Sequence, residues 1–198
     1  VIVADSKEER LNALEKLVML QKGDFLEILK VMAGLPVVIR LLDPPLNEFL
    51  PKEQDVIKKL TQLRSNGGCE DEIKRLEALL KRIEALKENN PMLGFRGCRI
   101  GVLYPEIYEA QVRAIAEAAC ELMEQGVDVN VKIMVPLVAT GQEMCMLRSD
   151  IEKVVAITAG KFGINLPCKV GTMIELPRAA VVADEIAEYA DFFSFGTN

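Results

Sequence analysis

The chain has 198 residues, half of them hydrophobic, which is enough for a substantial core and predicts one domain or part of one. Its 24 lysine and arginine residues against 30 aspartate and glutamate residues give a net charge of −6, which argues against nucleic-acid binding through a basic face. No apolar run approaches the roughly 20 residues of a membrane helix. Because the sequence contains no histidine, a histidine base or metal ligand in this segment is excluded.

The first predicted element is a helix that begins close to the N-terminus. Ser6 and Glu9 have the spacing of a capping box, and apolar residues follow at helical spacing: Leu11, Leu14, Leu17 and Val18. The chain starts at Val1 without an initiator methionine, and it ends directly after an aromatic run and a Gly-Thr-Asn turn. We therefore expect both termini to be cuts inside a larger protein. We expect that protein to be cytoplasmic, or organellar if a targeting peptide was removed.

Short β-rich runs alternate with helical segments along the rest of the chain, which predicts a parallel sheet. The five runs are residues 37–43, 97–104, 129–138, 168–176 and 191–197. The helices between them are expected to end at glycines, among them Gly34, Gly126 and Gly160. A doubly wound open sheet and a closed barrel both fit this pattern, but polar residues at the ends of nearly all strands favour a (β/α)8 TIM barrel. The predicted fold is an incomplete α/β barrel, with about five of eight strand-helix units.

One connection, residues 44–96, is much longer than a simple crossover between strands. It contains a predicted helix around 55–63, a break at 65–68, and a second helix with an apolar stripe of Ile73, Leu76, Leu80 and Ile83. Long connections at the carboxyl end of a barrel usually serve function. We predict a single domain over residues 1–198, with 44–96 as a helical insertion over its catalytic face.

The five cysteines are dispersed and lack CxxC spacing, which disfavours a disulfide framework or a zinc cluster. They are Cys69, Cys98, Cys120, Cys145 and Cys168. We expect reduced and mostly buried thiols. Cys98 and Cys168 flank the candidate site residues below, and we expect them to serve core packing.

Two arginines are candidate ligands for an anion. Arg40 ends an apolar strand, so its guanidinium must reach a cavity or a buried acid, and the residue alone leaves an ion pair with Asp43 and a ligand clamp equally open. Arg96 lies between two glycines in a loop, and Arg99 follows it closely. The planar fork of arginine suits phosphate or carboxylate oxygens, although a lone loop arginine more often caps carbonyl groups.

The last two predicted strands end in groups that could bind a metal and an anion. Glu175 falls on the same face as Gly171 and Met173, where a carboxylate could hold Mg2+. A helix N-terminal acid, or a partner for Arg178, is the structural alternative. Gly196, Thr197 and Asn198 lie at the end of the final strand and could provide backbone N–H groups and an amide to an anion.

Five sequence motifs together resemble the pyruvate, phosphate dikinase family over essentially the whole chain. They are RLLDPPL at 40–46, EFLP at 48–51, NPMLGFRGCR at 90–99, GTMIE at 171–175 and FFSFGTN at 192–198. The residues of the first two motifs favour the dikinase over its relatives, phosphoenolpyruvate synthase and enzyme I of the sugar phosphotransferase system.

The resemblance implies part of a phosphoenolpyruvate/pyruvate-binding barrel. In this family ATP and phosphate load a phosphoryl group onto a swivelling phosphohistidine domain, which delivers it to pyruvate, and neither that domain nor the ATP-grasp domain is in this chain. Carried over by position, Arg40 and Arg96 would clamp the phosphoryl group and Glu175 would bind Mg2+. Gly196, Thr197 and Asn198 would hold the substrate carboxylate. The resemblance also implies a homodimeric parent.

The chain departs from the family pattern in several places. Asn47 stands where members usually have histidine. The second metal-binding acid would follow Asn198, the cysteine that protonates the enolate would lie further on, and the first strand with its arginine would precede Val1. We therefore expect the chain to be inactive alone. The competing hypotheses are the synthase, the enzyme I barrel and a non-catalytic binding module on the same scaffold.

Overall fold

The structure is a computed structural model that describes residues 4, 6–85, 87 and 94–196. The chain divides into two compact units. The first comprises Val1–Arg10 and Pro44–Arg96, and the second comprises Leu11–Asp43 and Gly97–Asn198. The long α1 helix, Lys7–Val31, begins in the first unit and continues into the second. None of the described helices is both long and apolar enough to cross a bilayer.

The second unit contains a parallel sheet of four strands in the order of the chain, β1-β2-β3-β4. The strands are β1 (Pro36–Arg40), β2 (Asn130–Val135), β3 (Lys169–Ile174) and β4 (Phe193–Phe195). Helices connect them: α4 (Cys98–Leu103), α5 (Pro105–Glu124), α6 (Gly141–Phe162), α7 (Pro177–Val181) and α8 (Ala183–Ala187). Sequential parallel strands joined by helices are the pattern of a β/α barrel. The predicted fold class, an incomplete barrel, is confirmed.

The core of this unit lies between the sheet and the helices α5 and α6. Val131, Ile133 and Val135 alternate along β2 and are almost wholly buried. Small residues of α5, including Ala114 and Ala118, are equally buried, so the helix can approach its neighbours closely. The opposite face of β2 carries Lys132 and Met134, which are half-buried. Apolar residues therefore cover the helical face, and the other face remains available for polar groups.

Capping interactions define the ends of two helices. At the start of α1 the Glu9 N–H donates to Ser6 Oγ at 3.1 Å, as the predicted cap requires. At the start of α6 the Glu143 N–H donates to Thr140 Oγ1 at 3.2 Å, and Glu143 Oε2 accepts from the Thr140 N–H at 3.1 Å. The prediction that this helix ends at Gly160 is wrong. It continues to Phe162 and ends at Gly163, whose φ of 66° closes the last turn.

The prediction of a strand at residues 97–104 is wrong, because this segment forms α4. A short apolar run does not distinguish a buried strand from a buried helical turn. In the structure Gly101 allows α4 to pack directly against α5, because a Cβ at this position would lie only 2.6 Å from the ring of Tyr108. β1 therefore pairs directly with β2, and the described residues provide four strands rather than five.

The four remaining strands are present but shorter than predicted. β1 ends at Arg40 rather than Asp43, and β3 ends at Ile174 rather than Leu176. β2 ends at Val135 because Pro136 has no N–H to donate to a neighbouring strand. β4 comprises only Phe193–Phe195, and residues 197 and 198 of the predicted run lie outside the described part of the chain.

The first unit contains the two predicted helices of the long connection. They are α2 (Glu53–Ser65) and α3 (Glu70–Ala85), and a single 3-10 turn, Leu46–Phe49, precedes them. Two ion pairs join the helices, Lys59 with Glu72 at 3.2 Å and Arg64 with Glu77 at 2.6 Å. The two helices predicted for residues 44–96 are therefore present. Its placement over the catalytic face, and the single domain over 1–198, stay predictions.

We expect this chain on its own to self-associate. Among the described residues β1 pairs only with β2 and β4 only with β3, so two strand edges are open. Val38 on β1 is 45% exposed and Phe195 on β4 is 77% exposed, and exposed apolar edge strands promote association. Sedimentation velocity should show oligomers whose fraction rises with concentration. A dilute monomer that melts in one sharp cooperative transition would contradict this expectation.

Candidate active site

Arg40 and Glu175 come from separate strands and lie on one face of the sheet. Arg40 of β1 is opposite Met134 of β2, which is opposite Gly171 of β3, so these three residues share a face. Glu175 follows Gly171 by four residues and therefore falls on the same face, because side chains alternate with a period of two. The Arg40 guanidinium forms an ion pair with Asp43, and its Nη2 atom is 3.7 Å from Glu175 Oε2. The Arg40 side chain is 38% exposed, whereas that of Glu175 is 1% exposed. The structure thus brings together a reachable cation and two buried acids at the carboxyl ends of β1 and β3.

Helix α5 fixes the backbone that carries Arg40 and Asp43. The Leu42 N–H donates to Gln111 Oε1 at 2.8 Å, and the Tyr108 hydroxyl donates to the Leu42 carbonyl at 3.0 Å. Burial raises the pKa of Tyr108 well above its usual value, so this hydroxyl keeps its proton as a donor. The segment after β1 is therefore held from the helix side, and its charged side chains are presented to the opposite face.

Glu175 is anchored by a backbone group of the β2 to α6 connection. Its Oε1 atom accepts a hydrogen bond from the Leu137 N–H at 2.9 Å. Below it, the Thr172 hydroxyl donates to the Val135 carbonyl at 2.7 Å and ties β3 to β2. The sequence prediction did not include Leu137, because a backbone contact of a leucine leaves no mark in the residue pattern. The proline before it, which ends β2, is the only nearby signal.

The role expected for Gly196 needs correction. Its N–H does not face a ligand, because it donates to the Ile174 carbonyl at 3.0 Å and continues the pairing of β3 with β4. What requires glycine here is the close approach to Glu175: a Cβ on Gly196 would lie 2.4 Å from the Cβ of Glu175. Thr197 and Asn198 lie outside the described residues, so their predicted roles stay predictions.

We expect Gly196→Ala to lower the stability of the chain, because the new methyl group must displace either β4 or Glu175. Forced overpacking of this kind typically costs about 1–3 kcal/mol. Gly160→Ala is the matched control, since nothing lies within 4 Å of a Cβ added at that helical position. The control should stabilise by up to about 1 kcal/mol, because alanine favours a helix over glycine. Denaturant unfolding of both variants tests this, and equal stability would contradict it.

Arg96 is described in the structure, but it belongs to the first compact unit. Its N–H donates to the Gly94 carbonyl at 3.0 Å, and the side chain is half-buried. The next residue, Gly97, belongs to the second unit and donates its N–H to the Asp43 carbonyl at 3.2 Å. That Arg96 shares a ligand with Arg40 stays a prediction.

The residues present fit a single Mg2+ ligand rather than a complete metal cage. Within the described ranges no group of three or more cysteine, aspartate or glutamate side chains could enclose a metal ion. Mg2+ is commonly held by one or two carboxylates together with water and substrate phosphate oxygens. Glu175 can serve as such a ligand, because its carboxylate lies beside the Arg40 guanidinium at the carboxyl end of β3, the end at which β/α barrels bind substrate.

All five cysteines are free thiols, as expected, but they are less buried than predicted. Cys69 and Cys145 are exposed, Cys168 is partly exposed, and only Cys98 and Cys120 are buried. Burial raises the pKa of Cys98 to about 12, with the charge of Glu143 as a further cause. The Cys98 thiol therefore stays protonated at neutral pH.

The comparison with known proteins agrees with this geometry. The family model described as PEP-utilising enzyme, PEP-binding domain, matches residues 3–198. The chain is 50% identical over 200 residues to pyruvate, phosphate dikinase 1, chloroplastic, of Oryza sativa subsp. japonica. It is 53% identical over 203 residues to the chloroplastic enzyme of that name from Mesembryanthemum crystallinum, and 48% identical over 199 residues to the one from Rhizobium meliloti (strain 1021).

Each alignment covers 100% of this chain but only 20%, 20% and 21% of the respective relative. The chain therefore spans about a fifth of the length of these relatives. The part that is matched contains both Arg40 and Glu175, together with the strands that place them on one face. Because the family model covers nearly the whole chain, the chain belongs to the PEP-utilising enzymes, in their PEP-binding domain.

Proposed function

We propose that this chain supplies the phosphoenolpyruvate/pyruvate-binding part of a pyruvate, phosphate dikinase. The parent enzyme would convert ATP, pyruvate and phosphate to AMP, phosphoenolpyruvate and diphosphate. The names of the relatives support this activity, since several relatives about half identical to the chain are dikinases. The observation that carries the proposal is that Arg40 and Glu175 meet at the carboxyl ends of two strands, with Arg40 Nη2 3.7 Å from Glu175 Oε2. In β/α barrels, chemistry is carried out at that end.

The proposed chemistry depends on charges that are in place before the substrate arrives. Arg40 would hold the phosphoryl oxygens through its planar guanidinium. Asp43 and the backbone contacts from α5 keep that guanidinium in position, so that little reorganisation is needed on binding. In phosphoryl transfer the protein contributes mainly positioning and electrostatic stabilisation. Arg40 is suited to both.

Glu175 would hold Mg2+ from the same side. When bound, the ion would supply positive charge that offsets the negative charge developing on the substrate. The carboxylate is kept in one orientation by the Leu137 N–H and by the proximity of Gly196. We further propose that Arg96 joins Arg40 on the phosphoryl group, and that Thr197 and Asn198 hold the substrate carboxylate beside Gly196.

The remaining parts of the reaction would come from elsewhere in a longer protein. The phosphohistidine and ATP-grasp domains of such a protein would be the partners of this chain, and a homodimer is the proposed assembly. ATP would be bound by the ATP-grasp domain and not by this chain. The proposed location is the cytoplasm or an organelle, and the chloroplastic names of the plant relatives support the organelle.

The phosphate dependence of the longer protein tests the proposal. A dikinase requires phosphate for the forward reaction and releases diphosphate, whereas phosphoenolpyruvate synthase uses water as the other acceptor. We expect formation of phosphoenolpyruvate to stop when phosphate is withheld, and we expect the 198-residue chain alone to show no turnover. Activity that is independent of phosphate would favour the synthase. Turnover by the chain alone would refute the need for the other domains.

A further inference from the structure

Leu137 has a backbone conformation that its side chain disfavours. It is the one non-glycine residue with a positive φ in the described part of the chain, at 59°, and it is completely buried. A leucine in the left-handed region is strained and persists only where the surroundings determine it. Such strain is concentrated at functional sites. Leu137 directly follows Pro136, at the carboxyl end of β2, where the neighbouring strands present Arg40 and Glu175.

The start of α4 holds Leu137 in this conformation. The Cys98 thiol donates to the Leu137 carbonyl at 3.0 Å, and the Cys98 N–H donates to the Pro136 carbonyl at 3.0 Å. Gly97 packs directly on the leucine, since a Cβ there would lie 2.9 Å from the Cβ of Leu137. Cys98 is itself 0% exposed, and its raised pKa, about 12, keeps the donating proton on sulfur at neutral pH. Two successive carbonyls are thus fixed from one helix end.

The consequence appears at the other side of the same peptide segment. With Leu137 in the left-handed conformation, its N–H points at Glu175 Oε1, at 2.9 Å, while Oε2 faces Arg40. The two carboxylate oxygens are therefore assigned different partners. If the N–H turned away, the carboxylate could rotate toward the guanidinium and form a closer ion pair, which would compete with a ligand for both groups.

We propose that Leu137 is a positioning residue for Glu175, and that the Cys98 thiol keeps it in place. The inference rests on the proposed role of Glu175 in binding Mg2+ and phosphoenolpyruvate. It revises the expectation from the sequence that Cys98 only fills the core. Groups that orient a metal ligand typically change metal affinity or activity about 10- to 100-fold when they are removed.

The test compares Cys98→Ala, which removes the donor, with Cys98→Ser, which keeps an O–H donor. Cys120→Ala is the matched control, because Cys120 is also 0% exposed but lies on α5 rather than at the start of α4. The readouts are the Kd of phosphoenolpyruvate with Mg2+ by calorimetry and hydrogen exchange of the Leu137 amide. We expect Cys98→Ala to raise Kd about 10-fold or more. We expect Cys98→Ser and Cys120→Ala to leave Kd close to that of the original chain.

Hydrogen exchange separates this inference from the proposed function. If the longer protein that contains this chain does not bind phosphoenolpyruvate, the proposed function fails, but faster exchange at Leu137 in Cys98→Ala alone still supports the positioning role. Unchanged exchange in Cys98→Ala overturns that role, as does a loss of stability with unchanged Kd. Should Cys98→Ala fail to fold, Glu175→Ala removes the acceptor instead. Exchange at Leu137 should then rise about 10-fold or more, and unaltered protection would overturn the inference.

Discussion

Arg40→Ala is expected to weaken the binding of phosphoenolpyruvate about 100-fold or more. Hydrogen bonds from a charged donor contribute about 1.5–3 kcal/mol each. Loss of a bidentate contact to the phosphoryl group therefore corresponds to a Kd about 100-fold higher or more. The change also leaves the buried carboxylates of Asp43 and Glu175 without the cation that faces both of them. Calorimetric titration with phosphoenolpyruvate in the presence of Mg2+ measures the effect.

Two further variants separate a loss of binding from a loss of fold. Arg40→Lys keeps the charge but not the planar fork, so we expect an intermediate affinity and a stability closer to that of the original chain. Arg64→Ala removes an exposed arginine whose ion pair with Glu77 lies in the first unit, and it should leave binding unchanged. Equal affinities for the original chain and Arg40→Ala, with both folded, would show that Arg40 serves only as a structural partner of Asp43.

Glu175→Gln is expected to abolish the enhancement of phosphoenolpyruvate binding by Mg2+. The amide keeps the shape of the side chain and an oxygen that can accept from the Leu137 N–H, but it loses the negative charge that a hard cation requires. The fold should therefore persist while the metal dependence disappears. Titrations at several Mg2+ concentrations measure this, and the affinity of the variant should not vary with the metal.

Glu188→Gln provides the control for a change of charge alone, because Glu188 is exposed and follows α8. It should bind with the same Mg2+ dependence as the original chain. If Glu175→Gln behaved in the same way as this control, Glu175 would be a structural acid. Its partners in that case would be Arg40 and the Leu137 backbone, and the proposed metal site would be elsewhere.

The residue pattern predicted the strands that carry the site, because alternation and strand-ending polar residues are properties of single segments. Arg40 and Glu175 could be named for that reason, and so could Asp43 as the partner of Arg40. Residues 97–104 were assigned to a strand because a short apolar run suits both elements. The close approach of Gly101 to Tyr108, which favours the helix, depends on tertiary packing that the pattern does not contain.

Backbone groups account for most of what the sequence could not predict at the site. The N–H of Gly196 was expected to face an anion, but it completes the sheet, and the short approach to Glu175 is what excludes a larger residue there. The Leu137 N–H, which orients Glu175, depends on a left-handed φ that leucine rarely adopts. Neither assignment follows from residue type, since every residue except proline carries the same N–H donor.

The central claim is that Arg40 and Glu175 bind the same ligand. Its most direct test is an experimental structure of the longer protein with phosphoenolpyruvate and Mn2+ in place of Mg2+. Anomalous scattering would locate the manganese independently of the protein atoms. We predict the ion within coordination distance of a carboxylate oxygen of Glu175, with the phosphoryl oxygens of the ligand within hydrogen-bond distance of the Arg40 guanidinium. A ligand bound away from both side chains, with the Arg40, Asp43 and Glu175 contacts unchanged, would contradict the proposed site.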